Sequence, residues 1–242
     1  MVGSAVIPAD SVPVAGPVVF FTGAGISVGA GLPTYRGTGG LYQDASVEPP
    51  NAEDVTPERL PSLWARFQPR LRTRDELVPS AAHLAIADLE RHSPKPVTII
   101  TQNVDGLHTD AGSTRVIELH GTLRTMRCLT HQHSLPITDA HWHDQVPHCP
   151  VCGGICRPNV VLFGESLPGS AFGDAQVAIR EAETIVAVGT SAVVYPAAFL
   201  IDAQHTASAT CIWINPEDAP PNGHWTWLQG SADTQVARLR SL

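Results

Sequence analysis

The run Val18-Val19-Phe20-Phe21-Thr22-Gly23-Ala24-Gly25-Ile26-Ser27 limits the fold more than any other stretch of the chain. Four apolar residues without polar alternation suit a strand covered on both faces, as in a parallel sheet. Gly23 and Gly25 then allow a tight turn and a close approach of backbone to ligand. A helix opening near Ser27 would direct its free N–H groups at whatever lies above the turn, and such groups favour phosphate. Gly23, Gly25 and Gly29 give G-x-G-x-x-x-G, with the third glycine one place late for the dinucleotide fingerprint.

Further segments repeat the pattern. Val97–Thr101, Thr184–Val188 and Cys211–Asn215 read as buried strands, and Val116–Gly121 as another that carries His120 near its end. Ala81–Glu90, behind Ser80 as N-cap, and Ala175–Glu183 read as helices. Trp64, Phe67 and Leu71 fall at helical spacing and read first as packing. Polar residues stand where the strands end: Gln102, Asn103 and Asp105 after one, Gly189, Thr190 and Ser191 after another. Ligands of open parallel sheets bind beyond the carboxyl ends of the strands. The fold expected is α/β: a Rossmann-like parallel sheet with helices on both faces, plus a smaller discontinuous helical and zinc-binding module. The large part is expected over 1–37, 85–124 and 158–242, and the small one over 38–84 and 125–157.

Cys128, Cys149, Cys152 and Cys156 lie in one segment, with Cys211 apart. Cys128-Leu129-Thr130-His131, followed by Cys149-Pro150-Val151-Cys152, has the two-pair spacing of a structural zinc site. The ligands expected are Cys128, His131, Cys149 and Cys152, with His133, His148 and Cys156 competing with His131 for the fourth place. Four protein ligands close the site, so one Zn2+ per chain would be structural, not catalytic. The net charge of −8 argues against a nucleic-acid backbone as partner. Met1–Pro8 lacks the basic start and apolar core of a signal peptide, and no apolar run reaches the ~20 residues of a membrane span. A cytoplasmic monomer without membrane attachment is the expectation.

Gly31-Leu32-Pro33-Thr34-Tyr35-Arg36-Gly37, Thr101-Gln102-Asn103-Val104-Asp105-Gly106-Leu107-His108, Leu119-His120-Gly121, Phe163-Gly164-Glu165 and Gly189-Thr190-Ser191 follow one another in order. Together with the glycine turn, these motifs resemble the sirtuin family of NAD-dependent protein deacylases, from about Val18 to about Ala232. The resemblance implies an NAD site formed by Gly23, Ala24, Gly25, Ser27, Tyr35, Arg36, Gln102, Asn103, Asp105, Gly189, Thr190, Ser191, Asn215, Glu217 and Ala232. It implies His120 as general base, with Asn103 and Asp105 in the nicotinamide pocket. A histidine suits that task because its reference pKa of ~6.5 lies near working pH. Val161, Phe163 and Gly164 would pair with the acyl-lysine peptide as an added strand. Phe67 and Arg70 stand where acidic-acyl sirtuins carry a Tyr-x-x-Arg pair, with Phe67 lacking the hydroxyl. The reaction implied removes acetyl, succinyl or malonyl groups from protein lysines, giving nicotinamide and O-acyl-ADP-ribose. Protein ADP-ribosyl transfer and non-catalytic NAD or ADP-ribose sensing are the rival readings. An ordinary dehydrogenase is disfavoured by the late third glycine and the cysteine segment.

Overall fold

The computed structural model describes residues 11–35, 40–42, 44, 47–73, 76–138, 146–202, 206 and 208–241. A short strand, Val12–Val14 (β1), precedes Val18–Thr22 (β2), and the 3-10 helix Ala24–Ala30 follows. Helices Leu60–Thr73 (α1) and Ala81–His92 (α2) lead to strand Val97–Thr101 (β3), the single turn Leu107–Asp110 (α3) and strand Val116–Glu118 (β4). Strands Gly121–Cys128 (β5), Ser134–Pro136 (β6) and Cys156–Val160 (β7) come next. Helix Gly169–Glu181 (α4), strands Thr184–Val188 (β8), Thr210–Asn215 (β9) and Trp225–Gln229 (β10), helix Ala232–Val236 (α5) and strand Leu239–Ser241 (β11) complete the order.

Six strands form one parallel sheet in the order β10-β9-β8-β2-β3-β4. The chain lays down β2, adds β3 and β4 on one side, then crosses over to add β8, β9 and β10 on the other. The order reverses between β2 and β8, and a crevice opens at such a reversal beyond the carboxyl ends of the strands.

Successive side chains of a strand point to opposite faces. Val19, Phe21, Ile185, Ala187 and Trp213 accordingly pack with Ala175 and Ile179 of α4. Val18, Phe20, Val186, Val188 and Ile212 pack the other way, with Ala82 and Ile86 of α2 and Val236 of α5. Both faces are covered at the centre of the sheet, which is why β2 and β8 are apolar almost throughout. Each fully buried Val, Ile or Phe side chain among them contributes about 1.5–3 kcal/mol relative to exposure.

A third cluster joins Leu60, Leu63, Trp64, Phe67 and Leu71 of α1 to Leu123, Met126 and Cys128 of β5 and Val160 of β7. Trp64 Nε1–H ties the helix down by donating to the Cys156 carbonyl at 2.9 Å. The smaller module therefore contains a three-stranded antiparallel sheet, ordered β6-β5-β7, beside its helix. By its sequence, the apolar run after Arg157 reads as a return to the main sheet, but the segment pairs with β5 instead. Pro158 explains the difference, because a residue without an N–H is confined to a sheet edge, and β7 is an edge strand. Likewise Val116–Gly121 is not one strand: β4 stops at Glu118, and Gly121 opens β5. The three-residue β1 pairs in parallel with β11, so the two ends of the described chain are joined. No described helix is long and apolar enough to cross a membrane.

Candidate active site and metal centre

A cleft of about 870 Å³ lies over the reversal point, in the size range that takes a small-molecule ligand or cofactor. Gly25 and Gly189 meet backbone to backbone in its wall. A Cβ on Gly25 would lie 2.6 Å from Gly189 Cα, and one on Gly189 would lie 2.5 Å from the Gly25 carbonyl carbon. Gly189 also has φ +58°, a left-handed conformation that favours glycine. The turn after β2 is a 3-10 helix, and its amides are partly engaged. Gly25 N–H donates to Gly189 O at 2.9 Å, and Ile26 N–H to Gly23 O at 3.2 Å. Those two groups are not free for a phosphate, contrary to the expectation of an open helix start.

Asn103 follows β3 and is buried at the cleft wall. Its Nδ2 donates to Gly23 O at 3.2 Å and to Ser27 Oγ at 3.1 Å, which leaves Oδ1 as the group it can offer a ligand. Ser27 Oγ–H in turn donates to Asp105 Oδ2 at 2.8 Å. Asp105 Oδ1 accepts from Leu107 N–H at 3.0 Å, so this carboxylate also fixes the turn that leads into α3. Ser27 and Asp105 are bonded to each other behind the cleft wall and hold Asn103 in place; neither lines the cleft itself.

His120 lines the cleft just past β4. Its Nδ1–H donates to the Gln102 carbonyl at 2.9 Å. A carbonyl can only accept, so Nε2 carries the lone pair and is left for the cleft. Burial holds the pKa of His120 below the ordinary histidine value, with the Gln102 carbonyl pulling the other way. The ring is thus neutral at pH 7. Gln102 also reaches across the floor, where Nε2 donates to Thr190 Oγ1 at 3.0 Å. Asn215 Nδ2 donates to the Thr190 carbonyl at 3.1 Å, and its Oδ1 accepts from the N–H groups of Glu217 and Asp218. One hydrogen-bonded line therefore runs from His120 to the far end of the cleft. At the other rim, the Tyr35 and Phe163 rings lie with centroids 6.1 Å apart.

Away from the cleft, Cys128, His133, Cys149 and Cys152 bring one donor atom each within 4.8 Å of one another. Cys128 Sγ lies 3.4 Å from Cys152 Sγ, and His133 Nδ1 lies 3.3 Å from Cys149 Sγ. Zinc–sulfur bonds of ~2.3 Å place tetrahedral donors roughly 3.5–4 Å apart, so this Cys3His set fits one zinc ion. The fourth group is His133, not the expected His131. Register is the reason. Cys128 N–H donates to His133 O at 2.9 Å, which sets these two residues opposite each other where the β5–β6 hairpin closes. His131 sits exposed at the tip of the loop between them. Its backbone N–H serves the Cys128 sulfur instead, and is the main reason that thiol is held down to about 7. His148 turns its Nδ1 to the Gly153 carbonyl. Cys156 is buried opposite Cys128, with its thiol pushed up to about 12 by burial.

A family model described as the Sir2 family matches residues 23–196, well over half of the chain. The chain belongs to the Sir2 family. A relative from Aquifex aeolicus, named NAD-dependent protein deacylase, is 40% identical over 84% of each chain. A solved Sir2 homologue, a mutant in complex with ADP-ribose, superposes with TM-score 0.81 at 36% identity, over 91% of this chain and 88% of that one. A solved Sir2 protein with a p53 peptide and NAD+ has TM-score 0.74 at 30% identity, over 91% and 88%.

In this Sir2 chain the cleft gathers Gly23, Ala24, Gly25, Tyr35, Gln102, Asn103, His120, Val161, Phe163, Gly164, Gly189, Thr190, Ser191, Asn215, Glu217 and Ala232. Arg36 and the side chain of Arg70 lie outside the described residues. Phe67 does not line the cleft; it is buried in the third cluster, against the core of the small module. Val104 and Leu162 line the cleft without having been singled out. Each is an apolar residue between polar or functional neighbours, and nothing in their spacing marks them. Asp218 at the far end carries no sequence signal either, whereas Asp233 closes the Gly230–Asp233 turn that the resemblance places at the adenine.

Proposed function

We propose that this chain is an NAD-dependent protein-lysine deacylase whose cleft takes the dinucleotide from one side and the acylated lysine from the other. The observation that carries the reading is His120: a neutral imidazole, held by Nδ1 on the Gln102 carbonyl, with Nε2 left for the cleft beside Asn103. A pure NAD or ADP-ribose sensor has no use for such a base. NAD, when bound, supplies the ADP-ribose that accepts the acyl group and releases nicotinamide. Gly23, Ala24, Gly25, Tyr35, Gln102, Gly189, Thr190, Ser191, Asn215, Glu217 and Ala232 would hold it. The Gly25–Gly189 contact leaves no side chain between sheet and ligand. Asn103 offers Oδ1, oriented by its bonds to Gly23 and Ser27, and the Ser27–Asp105 bond keeps that arrangement from rotating.

His120 Nε2 would take a proton from a hydroxyl placed in the cleft. Its lowered pKa keeps it unprotonated, and so able to accept, at neutral pH and somewhat below. The substrate side would be the Val161–Gly164 strip, where backbone pairing accepts many peptide sequences. Phe67 in the small-module core speaks against a direct contact with an acidic acyl group. The zinc set Cys128, His133, Cys149 and Cys152 would fix the β5–β6 hairpin; a closed Cys3His site adds folding stability and no chemistry.

The test is incubation with NAD and a matched pair of peptides, acetyl-lysine and succinyl-lysine, following nicotinamide release and peptide mass. The expected outcome is one nicotinamide for each acyl group removed. His120→Ala is expected to lower turnover by at least ~10²-fold without unfolding the protein. ADP-ribose left covalently on protein, or no nicotinamide at all, would overturn the reading.

A further inference from the structure

Arg157 is only 1% exposed, yet the chemistry above gives it no task. Its guanidinium makes four bonds. Nε–H donates to the Pro158 carbonyl at 3.2 Å, and Nη2 to the Val160 carbonyl at 2.7 Å. Nη1 and Nη2 reach the two carboxylate oxygens of Glu165 at 2.5 and 3.1 Å. Glu165 Oε2 also accepts from Leu162 N–H at 2.8 Å, and Glu165 N–H closes the turn onto the Leu162 carbonyl at 3.0 Å. Burial alone would raise the Glu165 pKa, but the bonds from Arg157 and Leu162 keep it below the usual carboxylate range. A planar fork on a carboxylate fixes orientation as well as distance.

These bonds enclose one strip of backbone, from Val160 to Glu165. It contains Val161, Phe163 and Gly164, the residues proposed to meet the acyl peptide. The strip is joined to the proposed base, because Val161 N–H donates to the His120 carbonyl at 2.8 Å. Its outer side is joined to the 50–52 segment, where Ala52 N–H donates to the Phe163 carbonyl at 2.8 Å. Arg127 stands directly opposite Arg157 across β5 and β7. Like charges so placed repel, and the Glu165 carboxylate offsets both guanidiniums. A buried ion pair stabilises little compared with apolar residues of the same volume. Its placement at both ends of the substrate strip points to geometry instead.

We propose that Arg157 and Glu165 form a positioning clamp that fixes the Val161–Gly164 strip beside His120 for the acyl-lysine peptide. The proposal rests on the deacylase reading of the same cleft. Glu165→Gln is the decisive variant, since it keeps the shape and an oxygen for Leu162 N–H but loses the charge that holds Arg157. Affinity for a fluorescently labelled acetyl-lysine peptide is measured by anisotropy, and NAD affinity by calorimetry. In Glu165→Gln the peptide is expected to bind about tenfold more weakly, the loss of one charge-assisted bond, with NAD affinity within twofold. Arg157→Lys, which keeps the charge at one point of contact, is expected to fall between wild type and Arg157→Met. Peptide affinity within twofold of wild type in Glu165→Gln overturns the clamp, and so does an equal loss of peptide and NAD affinity. If Arg157→Met fails to fold, Glu165→Gln decides alone. A wild type that binds peptide but releases no nicotinamide overturns the deacylase reading only, and the variants' affinities still judge the clamp. A wild type without peptide affinity overturns both.

Discussion

Gly25 and Gly189 are 164 positions apart, yet neither tolerates a methyl group, because each is the other's wall. A Cβ on Gly25 would strike backbone, not the flexible end of a side chain, so nothing nearby can give way. Gly25→Ala is expected to cost about 1–3 kcal/mol as an overpacking change, and roughly 2–4 °C of melting temperature for each kcal/mol. It should also abolish the upward melting shift caused by NAD. Differential scanning fluorimetry with and without NAD checks both, and an unaltered melting curve would contradict the contact. Each glycine was legible as a turn residue at the end of a buried strand, since β2 and β8 are apolar without interruption. Their mutual contact was not, because spacing along the chain says nothing of which strands become neighbours. The same limit applies to Ser27 and Asp105. Both follow strands that end at the cleft, but they are hydrogen-bonded to each other instead of lining it, and Ser27 also accepts from Asn103.

At the scale of elements, the β5–β6 hairpin shows why ligand spacing misled at one residue. Cys-x-x-His reads as a turn that presents both side chains to one ion, and Cys128-x-x-His131 fits it. The turn instead places the His131 amide on the Cys128 sulfur, and the returning strand supplies His133. Pairing across a hairpin puts residues five apart side by side, a relation that depends on loop length and register, not on the motif. The prediction is specific. His133→Ala should fall from one zinc per chain toward none under mild chelation, followed by elemental analysis, while His131→Ala retains it. Full zinc retention in His133→Ala, or loss in His131→Ala, would restore the turn as the ligand source. β7 was misplaced for a related reason: Val160–Leu162 is apolar enough for a central strand, and only Pro158 marks the segment as an edge. β10, β1 and β11 went unread because an exposed edge strand and two three-residue strands carry too few residues to show a period.

For the molecule as a whole, stability depends on a pair of buried histidines where α2, α3 and β2 meet. His83 Nδ1 faces Ser80 Oγ at 2.9 Å, and His108 Nε2 faces Thr22 Oγ1 at 3.0 Å. The two rings lie edge to face with centroids 4.7 Å apart. Burial lowers the pKa of both; it takes His108 to about 3, with the neighbouring His83 adding to the effect. The folded state therefore keeps His108 neutral, whereas the unfolded chain protonates it near pH ~6.5. Between those values the unfolded state holds more protons, so stability is fully present above ~6.5 and declines as pH falls. From pH 6.5 to 5, His108 alone accounts for about 2 kcal/mol, at 1.36 kcal/mol for each unit. His83 and His120, also lowered by burial, add in the same direction. The melting temperature is thus expected to fall by roughly 4–8 °C over that interval from His108 alone. In His108→Gln, which can keep a hydrogen bond to Thr22, the curve should begin lower and run flatter. A melting temperature unchanged between pH 7.5 and 5 would refute the account, and so would a His108→Gln slope equal to that of wild type. The same neutrality that makes this region sensitive to acid keeps like charges from accumulating behind the cleft, where the Asp105 carboxylate acts on His83.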